Sequence, residues 1–460
     1  VRHKRSLVAG LGVAALLAAT PGSAFAHEGH SFEPGSSPSS SAIVNGSGSL
    51  EAKLSPLNGS QSTGGAHVSV DNGMATVKLR TTSASKDMPH AQHIHVGGQG
   101  TCPPASADTN GDGFTTIAEG APFYGGIAVS LTTEGDVSGD SGLAVDRFPT
   151  ADGNFVVEYE RTFELPEGVT ADDVANGVIV QHGISELFDD NYRYDGAMPS
   201  SIAPELPFEA TAPSACGELG SAGTPVWGLS AENTLLTFSA TNPDMILDEA
   251  TIAGLEPGER LLGIDVRPAT GELYAVGSSS QLYEIDPVTG NAEARGAKLS
   301  PGLVGDSAGV DFNPTVDRLR INTNAGQNLR VNPDTGETIV DGSLAYAPGD
   351  RPSGARVVAS AYTNSFDGAT STELFNFDAD ANNLTLQSPP NDGVQNTVGA
   401  SGVDVVDNAG FDISSDGMAL AALSSGGPSS LYMVDTETGE ATRVGPVGDY
   451  RYLKGIAISQ

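Results

Sequence analysis

Positive charge is scarce in this chain. Its 460 residues hold 22 Lys and Arg against 57 Asp and Glu, a formal net charge of −35. That deficit excludes ordinary electrostatic binding to nucleic acid, where affinity comes from neutralising phosphates. It also sets the surface against anionic membranes. Aromatic residues make up 6% of the chain. Long helical patterns are missing, which turns the reading toward strands. Beyond the first residues no apolar run is long enough to span a bilayer. Cysteine is limited to Cys102 and Cys216, and no histidine follows His182.

What is present falls into sections. The length is too great for one hydrophobic core, so at least two domains are expected. Residues 1–26 read as a secretory signal peptide: Arg2, Lys4 and Arg5 give the charged start, Leu7 to Ala19 the apolar run, and Ala24-Phe25-Ala26 the cleavage site. Export by this route implies a secreted protein, and in an oxidising compartment Cys102 and Cys216 are expected to pair. Residues 27–47, rich in Ser, Gly and Pro, read as a flexible linker carrying His27 and His30.

Residues 48–217 read as an antiparallel all-β domain of barrel or sandwich type. Ala66–Val70 and Met74–Arg80 alternate and are joined by Asp71-Asn72-Gly73, a hairpin signal. The stretch Pro89-His90-Ala91-Gln92-His93-Ile94-His95-Val96 reads as a strand. Residues two apart share a face, so His93 and His95 present two imidazoles together while Ile94 points into a core. Two imidazoles on one face are half of a transition-metal site. The later strand Asn176 to Gly183 supplies His182 as a third ligand, and His90 or His67 is available as a fourth. Three imidazoles suit copper by ligand type.

A second motif lies between these strands. Asp108-Thr109-Asn110-Gly111-Asp112-Gly113, followed by five residues and Glu119, fits the calcium-loop pattern. Asp108, Asn110, Asp112 and Glu119 would offer side-chain oxygens to calcium, and Phe114 its carbonyl.

From residue 224 to 460 the chain repeats. Gln281 to Gly290, Gln327 to Gly336 and Ser430 to Gly439 each run from an apolar strand into an Asp- or Asn-initiated turn ending in Thr-Gly. Gly263-Ile264-Asp265, Gly309-Val310-Asp311 and Gly410-Phe411-Asp412 form a second recurring unit, whose Asp is expected to cap turns between blades. Four short strands per such period is the spacing of a β-propeller, here of five blades, with six as the alternative count. The last strand, Gly455 to Ile458, is expected to complete the first blade and close the ring.

These motifs together carry two resemblances. Residues 48–217 resemble the CHRD (chordin-repeat) family, which is similar in fold to copper/zinc superoxide dismutase. The carriers are His93-x-His95 on one strand, Val178 to Gly183 ending at His182, and the placement of Cys102 and Cys216. The resemblance implies a dismutase-like Greek-key barrel with a copper-type site. No histidine lies between His95 and His182, so the bridging histidine and the zinc cluster have no counterpart. The arginine expected just before the second cysteine is missing from Ala212-Pro213-Ser214-Ala215. Residues 224–460 resemble a family of bacterial exported propeller-like domains of unknown function, through Gly263 to Pro268, Asp311 to Arg318 and Pro389 to Gly393.

The expectation is therefore an exported, metal-binding two-domain protein whose propeller engages an unidentified protein or a cell-envelope glycan. It binds no nucleic acid and has no membrane span. Two other readings stand beside it: a copper-only superoxide dismutase, and a calcium-stabilised adhesion or matrix module.

Overall fold

The computed structural model describes residues 43–44, 46–82, 84–184, 199–351, 354–448 and 451–459. The expected signal peptide, and the linker through residue 42 with His27 and His30, lie outside them. The protein is all-β: a curled half-barrel sheet followed by a five-bladed propeller.

The half-barrel is built from β1 (Ile43–Val44), β2 (Ser47–Pro56), β3 (Thr63–Asp71), β4 (Met74–Thr82), β5 (Gln92–Gly97), β6 (Gly125–Ser130), β7 (Val157–Glu164), β8 (Val178–His182), β9 (Pro213–Glu218) and β10 (Gly220–Ser221). Its strand order is β6-β5-β8-β9-β2-β3-β4-β7, with β1 and β10 also pairing to β2. Period-two patterning decides which face is buried. Ala75, Val77 and Leu79 of β4 and Ala66, Val68 and Val70 of β3 all enter one core with Ile94 and Ile179. Asn72 and Gly73 both take positive φ at the β3–β4 turn, the geometry an Asn-Gly hairpin turn demands.

The sheet is open between its edge strands β6 and β7, and the loop after β6 bridges the gap. Arg161 Nη1 and the Tyr159 hydroxyl donate to the Thr132 carbonyl, and Arg161 Nη2 donates to the Gly135 carbonyl at 2.6 Å. The Cys102–Cys216 disulfide is formed, as expected, with Cα atoms 5.9 Å apart and 114 residues of separation.

In the propeller, blades two to five have inner strands Leu261–Val266, Ala308–Asn313, Val357–Tyr362 and Ala409–Ile413. Blade one takes three strands from residues 225–251, and its innermost strand, Leu453–Ile458, comes from the far end of the chain. That strand pairs with Pro225–Ser230, Val226 opposite Ile458. The ring is thus closed by main-chain hydrogen bonds between the two ends of the propeller.

The recurring turn has a local cause. The side-chain oxygens of Asp286, Asn332 and Asp435 each accept two backbone N–H groups, two and three residues on. This Asx turn then needs a positive-φ residue, supplied by Gly290, Gly336 and Gly439.

The Gly of the second repeat serves a different end, which is close approach at the axis. A Cβ added at Gly410 would stand 2.5 Å from the Ile456 nitrogen of blade one. Gly410→Ala must therefore push blades five and one apart, and is expected to cost about 1–3 kcal/mol in a urea melt. A methyl added at Gly427 of the same blade would have nothing within 4 Å, so Gly427→Ala is the control. Equal midpoints for the two variants would refute this account of the axis.

Candidate metal centre

β5 lies between β6 and β8, so both of its edges are paired, and its residues Gln92 to His95 are buried on both faces. Ile94 enters the core, and His93 and His95 occupy the opposite face. On β8, Val178 and Val180 stand opposite His95 and His93. His182, two residues beyond Val180, falls on that same face at the strand end. Each of the three histidines is only 3% exposed. Their ring centroids are 5.2 Å apart for His93 and His182, 5.5 Å for His93 and His95, and 6.3 Å for His95 and His182. Their ligand-type nitrogens all lie within 4.8 Å of one another.

Each ring has one nitrogen engaged and one free. His93 Nε2 lies 3.1 Å from the Gly142 carbonyl, His95 Nδ1 3.1 Å from the Gly125 carbonyl, and His182 Nδ1 2.7 Å from the Thr211 carbonyl. A carbonyl only accepts, so the N–H sits on the nitrogen facing it. The other nitrogens, His93 Nδ1, His95 Nε2 and His182 Nε2, then carry lone pairs. None of these three buried atoms has a hydrogen-bond partner. An unsatisfied buried polar atom costs about 1–3 kcal/mol, and three occur together here.

Electrostatics keeps the rings neutral. Burial, reinforced by the neighbouring imidazoles, holds His93 well below the ordinary value and brings His95 down to about 3. Burial lowers His182 to about 4. At neutral pH a metal would have no ring proton to displace.

Aromatic walls enclose the rings. Phe148 lies edge-on to His93 at 5.2 Å, and Tyr124 faces His95 at 4.7 Å. Tyr124 ends the helix α1 (Ile117–Tyr124) and precedes Gly125, whose carbonyl fixes His95. Tyr124 also packs with Val178, Val180 and the bridged cysteines.

The other sequence candidates fall elsewhere. His90 is fully buried, but both its nitrogens face carbonyls, those of His182 at 2.9 Å and Ser85 at 3.0 Å. It holds the His182 main chain and stands outside the three-ring group. His67, on β3, places Nδ1 3.5 Å from Glu51 Oε1. Glu51 in turn accepts from the Thr241 hydroxyl of the propeller at 3.0 Å.

In the acidic loop, Asp108 accepts from the Gly111 and Gly113 amides, Asn110 from the Asp112 amide, and Asp112 from the Phe114 amide. Glu119 caps α1 through Thr116 and reaches back to Thr109. These hydrogen bonds hold its carboxyl down at about 2. The loop therefore braces α1.

A second convergence was not foreseen from the sequence. The carboxyl oxygens of Asp265, Asp311 and Asp412 also lie within 4.8 Å of one another, at the propeller axis. They do not cap turns between blades. Asp265 accepts from the Phe312 amide at 2.6 Å, Asp311 from the Tyr362 amide at 3.0 Å, and Asp412 from the Ile458 amide at 2.6 Å. In each case the donor lies on the next inner strand of the ring. The repeated Gly-apolar-Asp was the available signal, but it does not say that the three side chains meet. Both triads have donor atoms that could hold a metal ion.

Among the described residues no helix is long and apolar enough to cross a membrane. No curated protein matches the chain. A solved structure, that of the clock protein EA4, is similar at 13% identity over 39% of this chain and 97% of that one, with a TM-score of 0.24. Residues 234–457, which begin at the second strand of blade one and run almost to the closing strand's end, match the model of a domain of unknown function, DUF4394.

Proposed function

We propose that this is an exported metal-binding protein, with a copper-type centre formed by His93, His95 and His182 and a propeller that engages a protein or glycan of the cell envelope. One observation carries the metal reading: three buried rings each bring a nitrogen within 4.8 Å of the others, and each has one nitrogen without a hydrogen donor and the other fixed by a main-chain carbonyl. That pattern of ligand and supporting shell is how imidazoles are oriented for metals. Bonds of about 2.0–2.1 Å would need the nitrogens within about 4 Å of one another, a small closure from the present spacing. An all-imidazole set without carboxylate favours copper over magnesium or calcium. The disulfide supports an oxidising compartment.

The dismutase reading is weakened by the same geometry. The rings are enclosed, and a chain of net charge −35 slows the approach of an anionic substrate. The test is metal analysis and copper titration of the purified protein. One tightly bound copper is expected per chain, falling at least a hundredfold in affinity in His182→Ala. No copper uptake by the wild type would end this reading. Rapid superoxide removal by the copper-loaded protein would turn it into the enzymatic one.

A further inference from the structure

The nitrogen that His93 presents to the centre is decided by one carbonyl, that of Gly142. This carbonyl comes from the connection between β6 and β7, in the sequence Asp136-Val137-Ser138-Gly139-Asp140-Ser141-Gly142, which holds one 3-10 turn at Gly139–Ser141. Gly142 is pressed against the sheet: a Cβ there would meet Ile127 Cδ1 at 2.6 Å. A loop of this composition has little intrinsic preference for one conformation, so something must hold it.

The geometry points to Arg147 as the residue that does so, and hence as a positioning residue for His93; this rests on the three-histidine reading. The Arg147 guanidinium donates to the Glu134 and Asp136 carbonyls, both at 3.1 Å, and to Ser141 Oγ at 2.8 Å. Ser141 Oγ donates in turn to Asp136 Oδ2 at 2.6 Å, which also accepts from Ser138 Oγ at 2.8 Å. Arg147's own carbonyl accepts from the Thr133 amide at 2.7 Å. One planar fork therefore ties the start of the loop to Ser141, the residue before Gly142. The next residue along the chain is Phe148, which packs on the His93 ring. Arg147 is thus linked to both things that orient His93, without touching the ring. Lys could not replace it, because a single ammonium cannot reproduce the fork.

The consequence concerns the tautomer. With the strap in place, the proton sits on His93 Nε2 and the lone pair is on Nδ1, the nitrogen left without a partner and available to an ion. With the strap loosened, the Gly142 carbonyl leaves and the ring is free to carry its proton on Nδ1, which blocks the ligand position.

The experiment uses the metal-free full chain first. Long-range proton–nitrogen NMR of the histidine rings should show His93 protonated on Nε2 in the wild type. In Arg147→Ala, His93 should shift to a tautomer mixture while His95 and His182 are unchanged. Ser141→Ala, which removes only one arm of the fork, should give a smaller shift and guards against a variant that fails to fold. Copper affinity should then fall about tenfold or more in Arg147→Ala, with an altered copper(II) EPR spectrum. An unchanged His93 tautomer in both folded variants overturns the proposal, and so does an equal change in all three rings. Since the ring spectra need no metal, a wild type that takes up no copper would defeat the metal reading and leave this test intact.

Discussion

Removing the Cys102–Cys216 bridge is expected to lower stability by up to about 4.7 kcal/mol, the chain-entropy value for a loop of roughly a hundred residues. The bridge spans 114 residues of sequence, so the unfolded chain gains much freedom once it is cut. A second effect is local. Cys216 stands opposite Val180 in the sheet and packs with Val178 and Tyr124 beneath the histidine face. Cys102 belongs to the segment that leads into the acidic loop and α1. The bridge thus pins to the sheet the segment that delivers Tyr124 and the Gly125 carbonyl to His95. A Cys102→Ser/Cys216→Ser variant should unfold at lower urea and bind copper more weakly. Its tyrosine near-ultraviolet circular dichroism should also be reduced. A variant matching the wild type in both midpoint and copper affinity would show that the segment is held by its packing alone.

The histidine face was legible because strand parity is a strict rule. His93 and His95 differ by two, and Ile94 between them is apolar, so the side of each was fixed before any fold was known. Parity does not reach His90, which precedes the strand that starts at Gln92; its contacts with the Ser85 and His182 carbonyls are set by the tertiary fold. The ring nitrogens were not legible. Each is set by a carbonyl of Gly125, Gly142 or Thr211, and a carbonyl is carried by every residue type. The same holds for Arg147, whose acceptors are mostly main chain. In the propeller, the Asx turns and the closing strand could be read because each depends on local chemistry or on repetition. The axial aspartates could not, because their meeting depends on five inner strands converging. Blades four and one have Ala361 and Ala457 where the other three have Asp. The repeat therefore looked like a turn signal, when it is a contact between neighbouring blades.

Those aspartates give the second large effect, and its sign follows from their surroundings. Asp265, Asp311 and Asp412 are almost wholly buried. Burial is the main cause that raises all three acids; the Asp412 charge adds to it at Asp265, and those of Asp265 and Asp412 at Asp311. Asp412 is raised to about 6. An acid that holds its proton more firmly in the folded state favours folding at low pH and loses that advantage as pH rises. Stability should therefore decline from about pH 4, the ordinary Asp value, through pH 6 and beyond. For Asp412 alone the change is on the order of 3 kcal/mol. Asp412→Asn keeps an oxygen for the Ile458 amide and removes one charge from the axis. In urea melts with chelator present, so that no cation can neutralise the triad, Asp412→Asn should match the wild type below about pH 4, where Asp412 is protonated in both the folded and the unfolded state. It should be more stable than the wild type near pH 8. Parallel pH profiles for the two proteins would mean that the axial carboxyls do not titrate in this range. A wild type that regains stability at pH 8 when calcium replaces the chelator, where Asp412→Asn does not, would show that a cation takes the place of the proton.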